Sequence, residues 1–153
     1  MNTRSNENSP DFAVVVPIVV RFRDIDAMGH VNNAVYLTYF ENARVAYHQA
    51  LAGPTSLAVD EFHFILAEVR CCYRSPGYLG ETLLAGIRVS SVGHKSFVFQ
   101  YEIRDQASGR LVADGSSVQV MYDYRNGSSM PVSQDFLSQV EALQHEPVDR
   151  GST

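Results

Sequence analysis

Arg23-Asp24-Ile25-Asp26-Ala27-Met28-Gly29-His30-Val31-Asn32-Asn33 runs straight into a segment in which Tyr36, Tyr39, Phe40, Ala43, Tyr47, Ala50 and Leu51 recur at spacings of three and four. That period puts the apolar residues on one face of a helix from about Asn33 to Leu51. Asn32 or Asn33 can cap its start, and Gly53-Pro54 stops it. At ~1.5 Å per residue such a helix is about 28 Å long, so it needs an apolar partner of similar extent.

The rest of the chain supplies one. Before the polar stretch, Val14 to Arg23 alternates, with Val16, Ile18, Val20 and Phe22 on one side, and Pro17 points to an edge position or an irregularity in the strand. After the helix, Phe62 to Tyr73 puts Ile65, Ala67, Val69, Cys71 and Tyr73 on one face, and Ser75-Pro76-Gly77 turns the chain. Leu83 to Val89, Phe97 to Ile103 and Leu111 to Tyr122 repeat the two-residue period, with turns at Val92 to Lys95 and Asp105 to Gly109. Ser133 then caps a short helix to Leu143. Short connections favour an antiparallel sheet, and a sheet of five or six strands at ~4.8 Å spacing is about as wide as the helix is long. The predicted fold is therefore α+β, a curled antiparallel sheet wrapped around one long helix. One domain is expected over residues 13–145, with a leader at 1–12 and a tail at 146–153. Open sheet edges and a second apolar sheet face point to self-association.

Composition narrows the partners. The 153 residues carry a net charge of −5, with 45% hydrophobic and 19% charged residues. That suits a folded globular chain, and the absence of clustered positive charge argues against nucleic acid as a partner. The apolar run Ala13 to Val20 is far shorter than the ~20 residues of a membrane span, so none is expected. Cys71 and Cys72 are adjacent in a strand and point to opposite faces, which disfavours a bond between them and suits a reducing, cytoplasmic setting.

The chemistry concentrates in the opening stretch. Its plainest reading is a capping loop of Asp and Asn residues. As a metal site, Asp24, Asp26 and His30 lack a further ligand at motif spacing, so no metal is expected. A third reading is catalytic: a helix N-terminus offers unpaired N–H groups and partial positive charge, which polarise a docked carbonyl and stabilise its oxyanion. A carboxylate seven residues earlier, Asp26, then attacks the carbonyl carbon or activates water, without a cofactor. Asp24 is read as pairing with a nearby arginine or capping the loop, and Glu41 with Arg44 as an ion pair on the helix.

The run Asp24 to Asn33, with Tyr36, Tyr39-Phe40-Glu41 and Ala43-Arg44, resembles the signature of the 4-hydroxybenzoyl-CoA thioesterase branch of the hotdog-fold acyl-CoA thioesterases. Ser75-Pro76, Val92-Gly93-His94-Lys95-Ser96 and Tyr122-Asp123 extend the resemblance over about residues 14 to 143. It implies a hotdog fold and hydrolysis of an acyl-CoA thioester to the free acid and coenzyme A, the coenzyme being part of the substrate and no separate cofactor being required. It also implies Asp26 as the catalytic carboxylate, Asn33 and His30 as the oxyanion or orienting groups, and Lys95 and Ser96 as contacts to coenzyme A. A homodimer joined edge to edge, or a tetramer of two such dimers, follows from the same resemblance, with sites at the subunit boundary. Two alternatives are a hotdog hydratase or dehydratase and a noncatalytic acyl-CoA or acyl-carrier binding module. Neither releases a thiol.

Overall fold

The structure is a computed structural model and describes residues 11–52 and 63–151. Strand β1 (Val14–Val19) leads through a 3-10 turn (Phe22–Asp24) and the polar loop into helix α1 (Val35–Ala52). Four long strands follow: β2 (Phe64–Tyr73), β3 (Thr82–Val92), β4 (Ser96–Asp105) and β5 (Leu111–Asp123). The two-residue β6 (Ser128–Ser129), helix α2 (Gln134–Gln144) and the two-residue β7 (Asp149–Arg150) complete the chain. The long strands lie in the order β1-β3-β4-β5-β2, all antiparallel, with β6 on β5 and β7 parallel to β3. This is the expected α+β arrangement, five long strands curled about one long helix. Pro17 lies on the edge strand, opposite Leu84 of β3, a position where proline is tolerated in a sheet.

The core forms where the inner faces of the strands meet α1. Tyr36, Tyr39, Phe40, Ala43 and Tyr47 are buried on the helix face that the spacing predicts. Phe40 stacks on Tyr101 of β4, with ring centroids 4.2 Å apart, and Tyr47 meets Phe99 edge-on. Burial pushes the phenols of Tyr36, Tyr39, Tyr47 and Tyr101 above their ordinary range. In the unfolded chain these groups lose their protons near pH ~10, whereas in the fold they hold them longer. Their contribution to stability is thus intact below pH ~10 and lost as pH rises beyond it, by up to ~1.4 kcal/mol per pH unit for each tyrosine. The urea midpoint should therefore drop between pH 8 and pH 11; an unchanged midpoint would refute this account of the core.

Several boundaries differ from the sequence reading. Phe22 does not continue the alternation of β1: the chain turns into the 3-10 segment there, and the residue is 83% exposed. In β2 a bulge between Leu66 and Glu68 resets the register. Phe64 and Leu66 consequently face inward with Val69, Cys71 and Tyr73, while Ile65 belongs to the outer face, because residues directly opposite in a ladder share a face. Residues 146–150 are not a loose tail. Val148 is buried, its N–H reaches Glu141 Oε1 at 3.3 Å, and Asp149–Arg150 pair with Ser91–Val92. Phe12, placed in the leader, lies against Gly86. Helix α1 starts two residues after Asn33, and Gly53-Pro54 lies outside the described residues, as does most of the leader.

Candidate active site

The polar stretch folds into a tight loop because its side chains bond its own backbone. Asp26 Oδ1 accepts the Met28 N–H at 2.9 Å, and the Gly29 N–H returns to the Asp26 carbonyl at 3.0 Å. Gly29 has φ +84°, a left-handed conformation that glycine adopts without strain. The Asp26 N–H reaches the His30 carbonyl at 3.1 Å, closing the loop on itself. Asp24 serves as an internal post. It is buried and accepts the Arg21 N–H and the Tyr39 hydroxyl, both at 3.0 Å, with the Arg21 guanidinium 3.7 Å away. This is the structural role read for it from the sequence.

Two further ties fix the loop to the sheet. The Val31 N–H bonds the Gly77 carbonyl at 2.8 Å, and the Gly77 N–H bonds the Tyr36 hydroxyl at 3.2 Å. The Tyr73 hydroxyl, at the end of β2, donates to the Asn33 carbonyl at 2.9 Å. The cap is Asn32, whose Oδ1 accepts the Ala34 N–H at 2.9 Å while its carbonyl accepts the Val35 N–H. Between these bonded amides, the Asn33 N–H has no partner among the described residues. It stands at the head of an 18-residue helix, where the peptide dipoles add positive potential.

These groups open onto a cavity of about 440 Å³ lined by Asp26, Met28, His30, Val31, Asn33, Tyr36, Tyr73, Arg74, Ser75 and Pro76. The structure thus gathers Asp26, His30 and Asn33 around one space. Asp26 and His30 are half-buried. The His30 ring makes one long contact, Nδ1 to the Val31 carbonyl at 3.4 Å. A half-buried carboxylate, and an amide without a partner among the described residues, both from residues lining one cavity, are suited to attacking, or delivering water to, a carbonyl whose oxygen takes that amide.

Lys95 and Ser96 do not join the cavity. They lie in the β3–β4 hairpin, at the other end of a strand whose eleven residues span ~33 Å. Lys95 is exposed, and its carbonyl accepts the Met121 N–H. The Glu41–Arg44 ion pair is also not formed: Arg44 Nη1 turns inward and donates to the Tyr101 hydroxyl at 3.1 Å. Sequence reasoning missed Tyr73 and Arg74, since nothing in the local pattern tells that the end of β2 returns to the helix start. Among the described residues no three His, Cys, Asp or Glu side chains come together as a metal shell.

An antiparallel sheet curled round one long helix, with a carboxylate loop at the helix head, is the hotdog arrangement that the resemblance implies. The sequence profile of the thioesterase-like superfamily matches residues 20–140, and the chain belongs to that family. It is by class a thioester hydrolase. The long-chain acyl-CoA thioesterase FadM of Escherichia coli is 24% identical over 126 residues, covering 82% of this chain and 96% of its own. A Thermus thermophilus thioesterase solved with coenzyme A and zinc superposes with a TM-score of 0.80 at 33% identity, over 90% of this chain and 98% of that one. A 1,4-dihydroxy-2-naphthoyl-CoA thioesterase from Synechocystis shares the fold alone, with a TM-score of 0.72 at 18% identity, over 82% and 93% of the two chains.

Proposed function

We propose that this protein hydrolyses acyl-CoA thioesters to the free acid and coenzyme A at the Asp26 cavity. The observation that carries the reading is that Asn33, whose N–H has no partner among the described residues, lines the same cavity as Asp26. The thioester carbonyl oxygen takes the Asn33 N–H. Asp26 either attacks the carbonyl carbon, forming an anhydride that water then cleaves, or takes a proton from water as it attacks. Both routes pass through an oxyanion at the helix head, expel the thiolate of coenzyme A, and consume one water per thioester. His30, one turn of loop away, orients the thioester or the water. Tyr73 is a positioning residue, because its hydroxyl holds the peptide group that follows the Asn33 amide. Names of relatives support coenzyme A as the thiol, since FadM is an acyl-CoA thioesterase and the Thermus protein was solved with coenzyme A. Thiol release from acyl-CoA by the purified protein, abolished in Asp26→Asn, tests the reading and separates it from a dehydratase or a binding module.

We further propose that the site is completed by a second copy in the cytoplasm, as a homodimer or a dimer of dimers. Lys95 and Ser96 then approach coenzyme A from the other subunit, since they lie too far along their own sheet. With a net charge of −5 the protein does not attract an anionic coenzyme by its overall field, so a local cation at the mouth is required. Lys95→Ala should raise KM several-fold at low salt and leave kcat unchanged; an unaltered KM would remove Lys95 from the site.

A further inference from the structure

The connection between β2 and β3, residues 74–81, has no regular secondary structure, yet the loop of Asp26 leans on it. The Gly77 carbonyl takes the Val31 N–H, the Gly77 N–H reaches the Tyr36 hydroxyl, and Ser75 and Pro76 line the Asp26 cavity. The packing is close: a Cβ on Gly77 would lie 3.0 Å from the Tyr36 hydroxyl oxygen and 3.1 Å from a Val31 methyl. A shift of this turn therefore displaces Val31 and Tyr36, which bracket Asn33 in the chain.

One side chain braces the turn from the adjoining β4–β5 connection. Arg110 stands where that connection enters β5, after Gly109 at φ +74°, and Ser108 Oγ accepts its N–H at 3.2 Å. The Arg110 Nε donates to Ser75 Oγ at 3.1 Å, and Nη2 donates to the Pro76 carbonyl and to both Glu81 carboxylate oxygens, each at 3.0 Å. Glu81 in turn accepts the Tyr78 N–H at 2.7 Å, and the guanidinium carbon lies 5.9 Å from the centre of the Tyr78 ring. One planar fork thus joins both ends of the connection to the residue next to Gly77. A lysine ammonium on its flexible stem cannot reproduce that set of directions. Both members of the ion pair are half-buried, which strengthens these charge-assisted bonds against competing water. Arg110 itself does not line the Asp26 cavity.

We infer that Arg110 is a positioning residue for thioester hydrolysis: with Glu81 it sets the turn at residues 75–77, and through Gly77 it sets the loop that carries Asp26, Val31 and Asn33. This inference rests on the thioesterase reading above. Arg110→Lys keeps a cation opposite Glu81 but cannot hold Ser75, Pro76 and Glu81 together. It should leave the melting temperature within a few degrees, lower kcat about tenfold by misplacing the loop, and keep KM within about twofold, since no cavity-lining side chain changes. Glu81→Gln weakens the brace from its other side and should give the same split between kcat and KM. Amide hydrogen exchange supplies a readout that does not depend on activity. The Val31 N–H should exchange about tenfold faster in Arg110→Lys, with the amides of β4 unchanged, as expected of a local opening. An Arg110→Lys protein with wild-type kcat, or kcat lost only in proportion to a lowered melt in both variants, would overturn the proposal. Absence of thiol release by the wild type would instead overturn the thioesterase reading, and Val31 exchange would then decide by itself whether Arg110 holds the loop.

Discussion

Asp26→Asn is expected to lower kcat for acyl-CoA hydrolysis by about 10³-fold, the scale of a lost general base or nucleophile and equivalent to ~4 kcal/mol of transition-state stabilisation. The fold should survive. Asp26 is half-buried, and the bond that shapes its loop, from the Met28 N–H to Oδ1, can be accepted equally by the Asn carbonyl. Substrate affinity should change little, because the amide replaces the carboxylate without altering the cavity lining or the Asn33 N–H. Steady-state thiol release together with a thermal melt separates the two effects. A melt lowered in proportion to activity would assign Asp26 a structural part in the loop instead.

Gly115→Ala should produce the largest loss of stability. Gly115 lies in β5 between Cys71 of β2 and Tyr101 of β4, directly under the helix. A Cβ there would fall on the Arg70 carbonyl oxygen of the adjacent strand and 3.0 Å from the Phe40 ring, which is fully buried. Neither neighbour yields easily: one is backbone in the ladder, and the other is stacked on Tyr101. Relief requires β2 to part from β5 or α1 to lift, at a cost of about 3 kcal/mol. For a chain of this size the melting temperature should fall by about 6–12 °C. Because β2 carries Tyr73, activity should decline as well at temperatures where the variant is still folded. An unchanged melt by calorimetry would show that the close approach of β2, β5 and α1 at this point is wrong.

The elements that repeat a period were legible in the sequence. Tyr36, Phe40 and Tyr47 mark the helix face, Phe97, Phe99 and Tyr101 mark β4, and the structure buries all of them. The loop was legible for a related reason: its shape comes from bonds within ten residues, such as Asp26 to Met28 and Asn32 to Ala34, which local chemistry dictates. What pattern alone does not carry is distance. Tyr73 meets Asn33 across forty residues, and Lys95 lies a full strand from Asp26, facts that arise only when the sheet is assembled. The bulge beside Leu66 shows the same limit, since alternation assigns Ile65 and Ala67 to the inner face and pairing with β5 moves Leu66 there instead. Arg44 makes a similar point. Its spacing from Glu41 suits a helix ion pair, yet the Tyr101 hydroxyl, fifty-seven residues away, holds the guanidinium. Residues 146–150 look like a polar tail because their one buried side chain, Val148, has no periodic neighbours to announce it.

The most direct measurement is of free coenzyme A and free acid released by the wild-type protein and by Asp26→Asn, side by side, over short, medium, long and aromatic acyl-CoAs. The mechanism at Asp26 and Asn33 predicts one thiol and one acid for every thioester consumed, a preference among the acyl chains, and about 10³-fold slower release by the variant on the preferred one. Equal rates for the two proteins, or tight acyl-CoA binding with no thiol released by the wild type, would contradict it.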